Sequence, residues 1–476
     1  MLILLGFAMI LSFMALIMTK RLTPMVALIL VPTIFGLLAG AGLGLGDMIL
    51  DAIGDLAPTA ALLMFAIIYF GLMIDVGLFD PLVRFILRMV GNDPAKVVLG
   101  TALLAAAVSL DGDGSTTFIV TTAALLPIYL RLGLNPVILT CVAGLANGTI
   151  NIVPWGGPTA RAAAALGLSP TDIFVPMVPS LIVGLAVVFV FAWVLGLQER
   201  KRVGYLGLLE TGEDESPSEP WNGRRRGNHP GASGTGTSPS GSGSATSVQT
   251  LVRADDTAMA DTVLDPDRAT LRPRLFWFNL GLTALVMVML VADLVPLSYV
   301  FMVGSAIALL VNFPQLKAQG PAIVAHAPSI VGVVSMVLAA GVLIGVLTGT
   351  GMVTAMADWL VAIIPSSLGP YLAVITGLLS IPMTFFMSND AFYFGMLPIL
   401  AESAATFGID PVAMARASIT GQPVHLQSPL VPAILLLVTL ANVNLGDHHK
   451  KVLWRAAIVS VVMLVVAVLV GAIPWG

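Results

Sequence analysis

Runs of apolar residues long enough to cross a bilayer follow one another along almost the whole of this chain. They lie near 2–19, 24–45, 59–78, 136–166, 172–197, 275–294, 297–313, 328–349, 411–440 and 452–473. A helix of about 20 apolar residues spans the hydrocarbon layer, and within that layer the backbone must satisfy its own hydrogen bonds. Soluble domains carry about 25% charged residues; this chain has 10%, with 57% hydrophobic residues. The expected fold class is therefore an all-α polytopic membrane protein. The opening stretch "MLILLGFAMILSFMALIMTKRL" lacks a basic start and a small-residue cleavage site, and reads as a retained helix. The single cysteine, Cys141, lies in an apolar run and allows neither a disulfide framework nor a cysteine metal site. The formal charge of −4 is strongly segregated along the chain, and no nucleic-acid partner is expected.

Two apolar regions do not fit as spans. Residues 96–130 and 368–403 are each two half-helices broken by a polar turn, "DGDGSTT" and "MSNDAF". Each reads as a re-entrant hairpin, because irregular backbone at membrane depth survives only where protein or a cavity surrounds it. Residues 211–270, with "GASGTGTSPSGSGSATS", cannot build a core and read as a flexible linker. The chain thus divides into an N-terminal membrane half, 1–210, the linker, 211–270, and a C-terminal half, 271–476. With both termini outside, ten spans place 20 of the 22 basic residues, and the linker, in the cytoplasm. The two exceptions are Arg161 and Arg416, on the long runs 136–166 and 411–440.

The halves share landmarks at a nearly constant offset. Gly71 and Gly341 differ by 270, Pro127 and Pro398 by 271, and both Asn135-Pro136 against Asp410-Pro411 and Pro154 against Pro429 by 275. Each half holds five spans and one hairpin. Five is odd, so the second copy is inverted. Inverted repeats with interrupted helices are the mark of secondary transporters, which bind substrate near the midplane.

Four polar breaks are expected to converge there. The first holds Asp111 and Asp113, followed by Ser115, Thr116 and Thr117 at the start of a returning half-helix, where hydroxyls and free N–H groups suit an anion. The second is "ANGTINIVPWGGPTAR", with Asn147, Gly148, Thr149 and Asn151 interrupting the span. The third holds Ser388, Asn389 and Asp390. The fourth is "TGQPVHLQSP", with Gly421, Gln422, His425, Gln427 and Ser428. An ionised carboxylate at the bilayer centre costs at least ~2.5–3.5 kcal/mol. Asp111, Asp113 and Asp390 are therefore candidates for metal or proton coupling. Arg161 suits either a substrate carboxylate or an outward reach to the interface. Arg416 suits the interface, Glu402 suits water, and His326, His448 and His449 read as solvated groups at cytoplasmic ends.

The stretches "SLDGDGSTTFIVTTAALLPIYLRLG", "NIVPWGGPTARAA", "MSNDAFYFGMLPILAE" and "GQPVHLQSPLVPA" resemble the citrate–metal:proton symporters, the CitMHS family of the ion transporter superfamily. The resemblance covers both membrane halves, while the Gly/Ser linker departs from the family pattern. It implies proton-driven uptake of citrate complexed with a divalent metal, Mg2+, Ca2+ or a related ion, across a bacterial inner membrane. No resident cofactor is implied, and the metal is cargo. It also implies an elevator-type fold, with hairpins and broken helices moving against a scaffold, and a homodimer. Superfamily dicarboxylate carriers use Ser-Asn-Thr triplets at both hairpin tips. Here Ser388-Asn389-Asp390 and Asp113-Gly114-Ser115-Thr116 each depart from the triplet through an aspartate. An acidic site fits a metal complex better than a bare polyanion, since hard divalent ions take carboxylate oxygens.

Two rivals remain at this level. One is a carrier of another small organic or inorganic anion. The other is an intramembrane aspartyl protease, which the missing Gly-x-Gly-Asp motif and the unexplained repeat both disfavour.

Overall fold

Proline beside a short polar residue starts several of the described helices. Asp93, Asn135 and Asp410 each accept a hydrogen bond from the backbone N–H two residues on, and Pro94, Pro136 and Pro411 occupy the first helical position. This places a capping acceptor beside a residue whose fixed φ suits the first turn. The Asn-Pro and Asp-Pro landmarks are thus both helix starts.

The computed structural model describes residues 1–19, 21–112, 114–213, 268–292 and 294–476, and every described element is helical. Asp113 and nearly all of the expected linker lie outside the described residues. Among the described residues, seven helical stretches are long and apolar enough to cross a membrane: Gly42–Asp75, Pro94–Asp111, Pro170–Val203, Pro273–Leu290, Ala327–Gly349, Gly369–Phe386 and Leu445–Leu469. Five of the ten expected spans are among these. The remaining two stretches are the first arms of the expected hairpins. The run 24–45 helixes only over Pro24–Leu38, and the next helix already begins at Leu45, because Gly40 and Gly42 adopt positive φ and turn the chain. A short helix, Asp80–Val90, was not expected as a separate element.

The frame of the molecule is the antiparallel crossing of Leu45–Asp75 with Ala327–Gly349. Gly341 faces Ile53, and Gly345 lies so close that a side chain would meet the Met48 carbonyl oxygen at 2.5 Å. At the other end of the crossing Gly71 lies against the His326 ring. Small residues bring helices into backbone contact where the solvent supplies no hydrophobic drive. Met9, Phe13, Leu28, Leu56, Leu343 and Val346 bury themselves around this frame in one core. A second, larger core, with Tyr129, Leu139, Phe392 and Leu437, holds the hairpins and broken helices.

Candidate functional site

The first hairpin turns where the sequence placed its polar knot. Pro94–Val108 runs into a tight turn over Ser109–Asp111, Gly112 takes φ +78°, and the return helix is Gly114–Arg131. Asp111 is buried. The Ser109 hydroxyl donates to the Ala105 carbonyl at 2.6 Å and accepts from Thr117 Oγ1 at 3.2 Å and Asn147 Nδ2 at 2.8 Å. Ser115 and Thr116 are half-buried at the start of the return helix. The Trp155 indole N–H donates to the Leu110 carbonyl at 2.8 Å, and its ring stacks on Phe70 with centroids 5.2 Å apart. The hairpin tip is thereby tied to the frame.

The first broken helix opens later than the sequence suggested. The helix Pro136–Ile150 runs unbroken through Asn147, Gly148 and Thr149, and the gap is 151–156, before Gly157–Leu166. Gly148 does not break the helix. It lets the second broken helix press against it, since a side chain there would meet Pro423 Cα at 3.0 Å. Thr149 donates to its own helix at Leu145 and lies against Gly184 of the neighbouring span. Asn151 sits half-buried at the helix end.

The second hairpin breaks at Met387, whose extended backbone ends Leu372–Phe386. Its return begins as a wide π-type turn, Ala391–Met396, a feature frequent at functional sites. Ser388 Oγ accepts from the Ala391 N–H at 3.2 Å. The Asn389 and Gln422 side-chain amides pair at 3.3 and 3.5 Å, and Gln422 also donates to the Tyr393 hydroxyl at 2.9 Å. Gly421 allows the fourth break to touch the backbone of Ser380.

Arg161 and Asp390 join the two halves directly. Arg161 Nε donates to Asp390 Oδ1 at 2.6 Å, with side chains only 16% and 11% exposed. Of the two readings of Arg161, the outward reach to the interface does not fit this contact. The helix of Arg161 places it against the second hairpin tip, and a buried carboxylate holds it there.

The rest of the fourth break is interlocked with packing. Gln427 donates to the carbonyls of Gly144 and Pro423, both at 3.0 Å. Ser428 donates to Phe385, and the His425 ring nitrogen Nδ1 is 2.5 Å from the Thr384 carbonyl. His448 is fully buried between Thr140 and Gln427, with 3.1 Å to each, and is not a solvated group. "DHHKK" reads as a wet helix start, and only the path of the second broken helix past it brings Gln427 over its ring. Tyr393, Trp155, Ser109 and His448 were therefore not found by sequence reasoning.

The breaks meet as one connected set, in which each broken helix carries a side-chain amide to the hairpin tip of its own half. Asn147 reaches Ser109, and Gln422 reaches Asn389. Positions 147 and 422 differ by 275, the offset of the proline landmarks, and so do Gly148 and Pro423, which touch each other. Cavities of about 550 and 470 Å3 lie between Leu45–Asp75 and the end of Gly157–Leu166, lined by Asp55, Ala164 and Gly167, with Glu402 exposed in the second. A cavity of about 20 Å3 touches the second tip at Ser388. Among the described residues no three His, Cys, Asp or Glu side chains form a metal cluster.

With this geometry in hand, the comparisons with known proteins decide the family. The citrate transporter model, CitMHS, matches residues 3–421. This chain belongs to the citrate transporter family. It is 46% identical, over the full length of both chains, to a Bacillus subtilis (strain 168) protein named "Citrate transporter". It is 45% identical, over 99% of each, to the same organism's "Mg(2+)/citrate complex secondary transporter". Among solved structures it is similar to the YdaH transporter of Alcanivorax borkumensis, at 14% identity and a TM-score of 0.47, covering 89% of this chain and 87% of that one. The CitMHS chain described here is accordingly a multi-pass membrane transporter and not an enzyme.

Proposed function

We propose that this chain imports citrate as its complex with a divalent metal, Mg2+ or Ca2+, coupled to protons, across the bacterial inner membrane. The observation that carries this is the buried ion pair Arg161–Asp390, which joins the helix after the first break to the tip of the second hairpin, in a set where each tip is braced by an amide from the broken helix of its own half. A guanidinium can take a carboxylate in bidentate fashion, and an aspartate offers a hard oxygen to a divalent ion. The described residues offer no three-ligand cage, which favours a metal that arrives with its ligands. Asp111, Asp113 and Asp390 are the groups we assign to metal and proton coupling, and Ser115, Thr116, Asn147, Ser388, Asn389 and Gln422 to citrate.

We read the two halves as inverted repeats. The reciprocal amide hooks and the contact of Gly148 with its counterpart Pro423 support this. An elevator motion follows, with hairpins and broken helices moving against the glycine-lined frame along the seam where the two larger cavities lie. Residues that the charge rule assigns to one side do cluster together. Arg200 pairs with Asp93, Glu199 accepts from the Asn135 N–H, and Arg202 bonds the Gly133 carbonyl. At the opposite end Arg416 donates to the carbonyls of Asp172 and Ala472. We place the first group in the cytoplasm and both termini outside, and expect a homodimer through the frame helices.

Uptake of labelled citrate by proteoliposomes, with Mg2+, with Ca2+ and with EDTA, each with and without an inward proton gradient, tests this reading. Metal-dependent uptake stimulated by the gradient is expected. Transport of a different anion in preference, or citrate uptake indifferent to metal, would overturn it.

A further inference from the structure

We infer that the Arg161–Asp390 pair makes the carrier accept citrate and metal only together, an inference that rests on the proposed metal–citrate substrate. The pair spans 229 residues and both halves of the chain. It joins the helix behind the first break to the tip of the second hairpin, and it is mostly shielded from water. At membrane depth each charge is tolerable only while neutralised. The contact neutralises both charges within the protein, each side chain standing in for the other's ligand.

The same arrangement sets a condition on what opens it. A carboxylate on Arg161 Nε, or a cation on Asp390 Oδ1, requires the two to part, because each occupies the other at 2.6 Å. Citrate alone satisfies the guanidinium but brings three carboxylates against Asp390. A bare divalent cation satisfies Asp390 but stands beside a released guanidinium. Only the complex offers a carboxylate to Arg161 and a metal to Asp390 at once, so that neither buried charge is left alone. Gly157 clears the space that Arg161 occupies, since a side chain there would meet its Nη1 at 2.5 Å. The pair is thus a specificity determinant with two conditions, and each residue rejects one lone component.

Isothermal titration of the purified full-length protein tests this, with citrate in EDTA, citrate in excess MgCl2, and MgCl2 alone. Wild type should bind citrate at least about tenfold tighter with Mg2+ than in EDTA, and should bind Mg2+ alone weakly. Asp390→Asn should bring that ratio close to one by strengthening citrate binding in EDTA. Arg161→Gln should lose citrate affinity and gain at least about tenfold in affinity for Mg2+ alone. Asp390→Glu should keep metal dependence at reduced affinity. An Asp390→Asn protein with the wild-type ratio overturns the inference. So does loss of all binding in both single variants with recovery of the wild-type ratio in the double variant, which would mark a purely structural clasp. If Asp390→Asn does not accumulate, Arg161→Gln decides alone, and unchanged weak Mg2+ binding overturns the inference. A wild type that binds citrate in neither buffer instead refutes the citrate reading, and this inference falls with it.

Discussion

A methyl group at position 157 would collide with the tip of Arg161, which is a flexible side chain and not backbone. The collision is therefore relieved by moving the guanidinium, at the expense of its contact with Asp390. Gly157→Ala should lower stability, because a displaced guanidinium leaves the mostly buried Asp390 carboxylate without its partner. Citrate uptake should also fall by roughly tenfold or more, given how steeply function depends on placement. Thermal melting and uptake measured on one preparation check this, and undiminished uptake would remove Arg161 from substrate binding. At this scale the sequence was half legible. The cost of a charge among apolar residues singled out Arg161 and Asp390 separately. Their pairing was not legible, because contact between residues 229 positions apart is decided by how the two halves pack.

Helix starts and hairpin turns were legible because they rest on local chemistry. A short polar residue before proline begins a helix, and a polar Gly-rich turn inside an apolar run reverses it. The extent of the breaks was not. A helix continues through Asn147, Gly148 and Thr149 because each is absorbed: Ser109 takes the amide, Pro423 fills against the glycine, and the Leu145 carbonyl of the same helix takes the hydroxyl. Asp93 shows how one element start is anchored to another. It caps Pro94–Val108 and pairs with Arg200, whose hydrogen bond holds the Asp93 carboxyl below the usual carboxylate range. A carboxyl depressed in the folded state contributes stability above its unfolded value, near 3.9, and loses it as pH falls through the lower folded value. Asp93→Asn keeps a good cap but removes this term. Between about pH 5 and pH 3 the wild-type melting temperature should fall more steeply than that of Asp93→Asn, and parallel curves would show that the Arg200 pair adds nothing.

At the scale of the molecule, the halves are held together by contacts that need no covalent link. Leu45–Asp75 crosses Ala327–Gly349, His326 Nε2 lies 3.0 Å from Asp75 Oδ2, Gln427 reaches Gly144, and Arg161 reaches Asp390. Deleting residues 231–248 should therefore leave citrate uptake at the wild-type level. Cutting the chain within 231–248 and expressing the two pieces together should restore metal-dependent uptake, whereas each piece alone should accumulate poorly. Stable accumulation of the first half by itself would show that its interface does not need the second. The Arg161–Asp390 contact has a further consequence for biosynthesis. At about 5–20 residues per second, a ribosome delivers Asp390 roughly 10–45 seconds after Arg161. For that interval the nascent first half carries an orphan arginine in the bilayer, with its counter-charge not yet made. Surveillance of membrane insertion would meet that same orphan in any chain truncated before the second hairpin.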